Sequence, residues 1–156
     1  MKRFAFPLER VLRWRRTQAE LEEARLAELM AELARVRREM AALQRELAGG
    51  EQALVAAARK GEAMDPRALA ALDDFRRYVR RRRDRLRRSE AEIEWRISEQ
   101  RKAALEARRR AKVLEKYREK RLEEWRLAAD QEANRLADEL YLAGKARREQ
   151  RSLLEG

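Results

Sequence analysis

The sequence contains no cysteine and no histidine, and it has only 2 prolines and 5 glycines in 156 residues. Without cysteine there is no disulfide framework and no thiolate metal site, and without histidine no imidazole can act as base or metal ligand. Most enzyme classes leave with those two residues. The scarcity of proline and glycine removes the turn chemistry on which a small globular fold depends. Long apolar runs are missing too. Nowhere do about 18 uncharged apolar residues follow one another, so no segment is expected to span a membrane. The opening Met1-Lys2-Arg3 and its few apolar successors are cut short by Glu9 and Arg10 before a signal-peptide core can form, and no small-residue cleavage site follows. A cytoplasmic location is expected.

What the chain has in abundance is charge. Asp, Glu, Lys and Arg make up 44% of it, with 40 Lys plus Arg against 29 Asp plus Glu and a net charge of +11. A compact ball of this size could not bury enough apolar area while solvating so many charges. Dominance of Ala, Glu, Leu and Arg points instead to long helices that bury only a narrow stripe.

The apolar residues Leu26, Leu29, Leu33, Val36, Met40, Leu43 and Leu47 are spaced alternately three and four apart, the heptad signature of a coiled coil. Extended backward, the register reaches Ala19, Leu12 and Leu8 but also puts Arg15 and Glu22 on the seam, so looser pairing is expected there. With Pro7 suited to a first turn, helix one is expected over about 6–60, weakened or kinked at Gly49-Gly50, each costing roughly 1 kcal/mol relative to Ala. The strong break is Gly61-Glu62-Ala63-Met64-Asp65-Pro66, where Gly ends one helix and Asp65 caps the next ahead of Pro66.

Beyond that turn, about 61–66, the stripe resumes at Leu69, Leu72, Phe75, Val79, Leu86, Ile93 and Ile97. It thins through Ala104, Ala107 and Ala111 and recovers at Leu114, Leu122, Trp125, Leu136 and Leu140. Helix two is expected over about 66–143, roughly 75 uninterrupted residues or about 110 Å, followed by a tail over about 144–156. One short turn between two heptad helices predicts an all-α fold: an antiparallel coiled-coil hairpin, a single unit pivoting near residue 63, with Leu33 near Ile93, Met40 near Leu86 and Leu12 near Leu114. Helix one is then exhausted when helix two reaches about residue 120. The stripe from Leu122 to Leu142 overhangs, covered at its start only by Phe4 and Phe6, and is a candidate partner surface; the alternatives are that it frays or packs on another copy.

Three further features stand out. Nine arginines lie between Arg76 and Arg88; they read either as an electrostatic patch for phosphates, anionic lipid or an acidic protein, or as a solvated helix in an arginine-rich chain. Trp14 and Trp95 fall off the seam and suggest partner contacts, against the alternative that each lies flat over arginine stems. Gly144-Lys145-Ala146 echoes the end of a phosphate-binding loop, but Glu139 and Ala146 stand where the loop glycine and the magnesium-ligating hydroxyl belong. The remaining carboxylates form surface i,i+4 pairs such as Glu9 with Arg13 and Glu106 with Arg110. No cofactor, metal or small-molecule substrate is expected.

The opening Phe4-Ala5-Phe6-Pro7-Leu8-Glu9-Arg10-Val11-Leu12-Arg13-Trp14-Arg15 resembles the start of the flagellar export protein FliJ family, whose members open with two spaced aromatics, a Leu, a Val-Leu pair and then Arg. The stretch Val113-Leu114-Glu115-Lys116-Tyr117-Arg118-Glu119-Lys120-Arg121, continuing to Glu132 and Asp138-Glu139, is similar to that family's second recurring segment. The resemblance covers essentially the whole chain, including its length and helix-turn-helix plan. It implies a non-enzymatic component of the bacterial flagellar type III secretion apparatus, cytoplasmic and peripheral to the inner membrane. Such a component would be stalk-like, entering the export ATPase hexamer, touching the cytoplasmic domain of the export gate, and escorting export chaperones. Under the resemblance Phe75 matches the aromatic gate-contacting position, Val79 its neighbour one turn on, and Leu86 replaces a polar residue. Departures are Glu46, Gly49 and Gly50 where tyrosines are expected, and Arg82 where a small residue is usual.

Antiparallel register puts Arg13, Arg15 and Arg16 beside Arg108, Arg109, Arg110 and Lys112, with Trp14 among them. They would form one positive collar able to attract an acidic ring lumen. The competing readings are a basic coiled-coil module binding nucleic acid or ribosomes, and a helix lying on a membrane surface. Against groove reading of nucleic acid, no parallel zipper follows the basic stretch and no aromatic platform lies beside it.

Overall fold

The computed structural model describes residues 2–156; Met1, which opens the basic start of the chain, lies outside them. It contains two long helices packed against each other, α1 (Glu9–Arg59) and α2 (Pro66–Leu154), and no strand among the described residues. None of its helices is long and apolar enough to cross a membrane among those residues. Both helix ends at the turn are specified by the expected residues. Gly61 has φ +71°, the left-handed conformation that glycine adopts without a Cβ penalty. Around it the Glu62 N–H donates to the Ala57 carbonyl and the Gly61 N–H to the Ala58 carbonyl, each at 3.2 Å. That crossed pair closes α1 as a Schellman motif. On the other side Asp65 Oδ1 accepts the Arg67 N–H at 2.9 Å, capping α2, with Pro66 in the first position where its missing donor is harmless.

The outer helix ends differ from expectation. Helix α1 starts at Glu9, not near Phe6. Residues 6–9 close a turn instead, with the Glu9 N–H donating to the Phe6 carbonyl at 3.2 Å, because the Phe6 ring is held against Tyr117. Helix α2 does not stop near 143; it continues through the segment expected as a tail to Leu154. Gly144 alone costs roughly 1 kcal/mol there, too little to stop a helix whose next residues are Lys145, Ala146, Arg147 and Arg148. Gly49 and Gly50 likewise lie within α1. A Cβ on Gly50 would sit 3.3 Å from Leu72 Cδ1, so the glycine admits a close approach of α2.

The chain divides into two compact units, one of the N-terminal residues through Thr17 with Arg108–Gly156, the other Gln18–Ala107. In the second, Leu43, Val79 and Leu86 form a buried cluster, with Val36, Met40, Leu47 and Phe75 packed against it. Ile93, Ile97 and Ala104 are buried farther along. Leu26, Leu29, Leu33 and Leu72 are half-buried, as a two-helix seam open to water on both sides must leave them. Leu69 stays exposed although the stripe predicts it inside.

Ion pairs flank that seam in order. Arg76 donates to Glu51, Arg37 to Glu90 and Glu94 (each 2.9 Å), Arg82 to Glu39, and Arg96 lies 4.0 Å from Glu32. The partners rise in number on α2 as they fall on α1, the order an antiparallel pairing requires. Each pair is largely solvated and contributes about 0–1 kcal/mol, so their effect is on register more than on stability. The hydrogen bonds from Arg37 to the Glu90 and Glu94 carboxylates raise its guanidinium pKa, and that to Glu39 raises the pKa of Arg82.

Candidate functional site

In the unit that joins the N-terminal residues to Arg108–Gly156, the two segments that carry the family resemblance pack on each other. Phe6 is buried, with its ring 5.7 Å from that of Tyr117 and tilted by 58°. Phe4 meets Trp125 at 6.0 Å, and the Trp125 indole Nε1–H donates to the Lys2 carbonyl at 3.2 Å. Arg118 donates to Glu9 at 3.1 Å and sets its guanidinium 5.8 Å from the Phe4 ring centre. Arg16 donates to Glu115 at 2.9 Å. In the same unit Leu12 is 0% exposed, Ala111 is buried and Leu114 is half-buried. Aromatic pairs of this tilted kind add about 0.5–1.5 kcal/mol beyond area burial. The irregular N-terminal residues are thus anchored by two rings.

The basic residues of the expected collar all belong to this unit. Arg13 and Trp14 are exposed, Trp14 by 53%, and Arg15 turns its guanidinium over the indole at 4.7 Å. Arg16 is held by Glu115, while Arg108, Arg109, Arg110 and Lys112 are exposed on α2. Arg15 avoids the seam penalty its register position threatens by lying over Trp14, keeping its charge in water. The residues so exposed are cationic, with one large apolar ring, that of Trp14, covered by the Arg15 guanidinium.

The three residues matched to the gate contact are placed differently from one another. Val79 is 1% exposed and Leu86 is buried; both belong to the Leu43 cluster, while Phe75 is half-buried on its edge. The accessible side chain at this place is Tyr78, 51% exposed, whose ring stacks on Phe75 at 6.1 Å. Sequence reasoning passes over Tyr78 because it is off the seam, although its position three after Phe75 puts the two rings on adjoining faces. It also misses the Phe6–Tyr117 contact, which the i,i+3 spacing of Leu114 and Tyr117 could have indicated.

Trp95 is 66% exposed and lines a shallow groove together with Arg25, Glu28, Leu29 and Glu32 of α1. Lys145 lies within α2, 4.0 Å from Glu149, so no phosphate-binding loop exists there. Among the described residues no group of three or more carboxylates is placed to hold a metal ion, and no polar or charged side chain is buried. None of the protein-family models, curated proteins or solved structures compared with this chain matches it.

Proposed function

We propose that this protein is a non-enzymatic component of a bacterial flagellar type III export apparatus. In this reading it is an antiparallel coiled-coil hairpin that works as a stalk in the ring of the export ATPase. The observation that carries the proposal is the packing of the Phe4–Arg15 segment on the Val113–Arg121 segment, since these two stretches carry the family resemblance. Around that contact the structure exposes Arg13, Trp14, Arg109 and Lys112. A cationic surface of this kind favours encounter with an acidic ring lumen and sets its salt dependence.

The remaining assignments follow the same reading. Phe75 contacts the cytoplasmic domain of the export gate, with Tyr78 as the accessible half of the pair, while Val79 and Leu86 support it from the core. The part of α2 beyond Trp125 overhangs, and its exposed Leu127, Leu136, Leu140 and Tyr141 are a surface for export chaperones. Location follows from the partners: cytoplasmic, peripheral to the inner membrane at the export apparatus.

The test replaces Arg13, Arg15, Arg109 and Lys112 by Glu together, which leaves the Arg16–Glu115 pair in place. The hydrolysis rate of a hexameric export ATPase is followed as the protein is titrated in, with helicity measured in parallel. Stimulation by the parent chain and its loss in the variant at unchanged helicity are expected. An unaltered stimulation curve would show that the ring is engaged elsewhere, and absence of stimulation by the parent chain would sink the stalk reading.

A further inference from the structure

The nine arginines between Arg76 and Arg88 are not equivalent in the folded chain. Carboxylates neutralise three of them: Arg76 pairs with Glu51, Arg77 with Asp73 and Arg82 with Glu39. Arg83 donates to the neutral Gln44 at 3.0 Å and Arg81 to the Arg77 carbonyl at 3.4 Å, bonds that orient a guanidinium without cancelling its charge. Arg80, Arg85, Arg87 and Arg88 have no hydrogen bond or ion pair among the described residues. The structure therefore leaves a surplus of positive charge on this stretch that the fold does not use.

Part of the surplus is arranged in a row. Arg76, Arg80, Arg83 and Arg87 line one shallow groove, in which Asp84 and the Arg76-bound Glu51 are the only acids. Their positions recur about once per helical turn, so the four guanidiniums extend over about 16 Å of helix. A nucleic-acid duplex presents about ten phosphate charges over the same distance. Glu51 and Gln44 hold the first and third arginines in place, while the second and fourth are at liberty to take phosphate oxygens through their planar forks.

We propose that this row is a docking surface for the phosphate backbone of double-stranded nucleic acid, recognised by charge and spacing and not by base sequence. The apolar members of the groove, Leu47 and Val79, are half-buried and buried, which leaves nothing to insert into a bilayer. No aromatic ring lines it, so unpaired bases have no stacking platform, and a duplex fits better than a single strand. The row is separate from the proposed ATPase-ring collar, because Arg80 and Arg87 lie outside the unit that holds it, although Val79 beneath the row also supports the proposed gate contact.

The experiment measures binding of the full chain to a fluorescent duplex of arbitrary sequence by anisotropy, over roughly 50–200 mM salt. Three phosphate contacts, by Arg80, Arg83 and Arg87, predict a slope of log affinity against log salt of about −2.7, since Glu51 already neutralises Arg76. Arg80→Gln with Arg87→Gln, which breaks no bond seen in the structure, is expected to lower the magnitude of that slope by about 2 and to weaken binding by at least about tenfold at the low-salt end. Removing equal charge elsewhere, by Arg147→Gln with Arg148→Gln, is expected to leave the slope within about one half of the parent value. Equal losses from the two double variants would show attraction by net charge alone and overturn the site. So would displacement of the duplex by poly-glutamate at equal charge concentration, which would assign the row to an acidic protein. Retention of the full slope by the Arg80 and Arg87 variant overturns it directly.

Discussion

Side chains placed on the apolar stripe are worth very different amounts here, because two helices cover each other only along a line. Leu12 is 0% exposed and Leu140, also placed on the stripe by its spacing, is 74% exposed. Leu12→Ala removes buried methyl groups and leaves a cavity, so a loss of about 2–5 kcal/mol is expected, whereas Leu140→Ala should change stability by less than about 0.5 kcal/mol. Urea titration followed by circular dichroism separates the two; equal midpoints would mean that Leu12 is not part of a packed core. The same distinction governs Phe75, Val79 and Leu86. Their resemblance to contact residues is a statement about type, and type does not say which atoms remain in reach of a partner. Two of the three are enclosed, and the exposed ring beside them is Tyr78.

Helix ends are legible wherever a local conformation demands a particular residue. Gly61 is required by its positive φ, and Asp65 with Pro66 by the bare N–H groups of α2. Gly61→Ala should therefore cost about 1–2 kcal/mol, while Gly49→Ala, in open space inside α1, should stabilise by about 0.5–1 kcal/mol. Thermal melts of the two variants should move in opposite directions, and a fall in both would contradict the different roles given to the two glycines. The outer ends are hidden from the sequence for a physical reason. Pro7 is compatible with a first helical turn, but compatibility does not compel one, and the Phe6–Tyr117 contact holds residues 6–8 outside α1. At the other end a single glycine is too weak a breaker against strong helix formers.

At the scale of the molecule, the order of contacts within Gln18–Ala107 is the antiparallel one, with Arg76 on Glu51, Arg82 on Glu39 and Gln100 on the Glu22 carbonyl. Met40 and Leu86, an expected pair, meet in one cluster. Cysteines placed at Leu33 and Ile93 should crosslink within one chain at low protein concentration, allowing a few residues of register error, and denaturing electrophoresis reads the product. If only crosslinked dimers form, the helices pair between copies and the hairpin is wrong.

Two helices, one turn and a three-four apolar seam follow from periodicity and capping alone, since they depend on neighbours within a few positions along the chain. Leu12, Leu43, Val79, Leu86, Ile93 and Ile97, all buried, lie on that seam. Long-range partnership is a different matter. That Phe6 rests on Tyr117, that Gly50 makes room for Leu72, and that carboxylates of α1 cancel Arg76 and Arg82 while sparing Arg80 and Arg87 depends on which residues distant in sequence meet across the seam. Spacing along one helix carries no information about the charge and volume it will find on the other, so only the packed pair could tell the occupied arginines from the available ones.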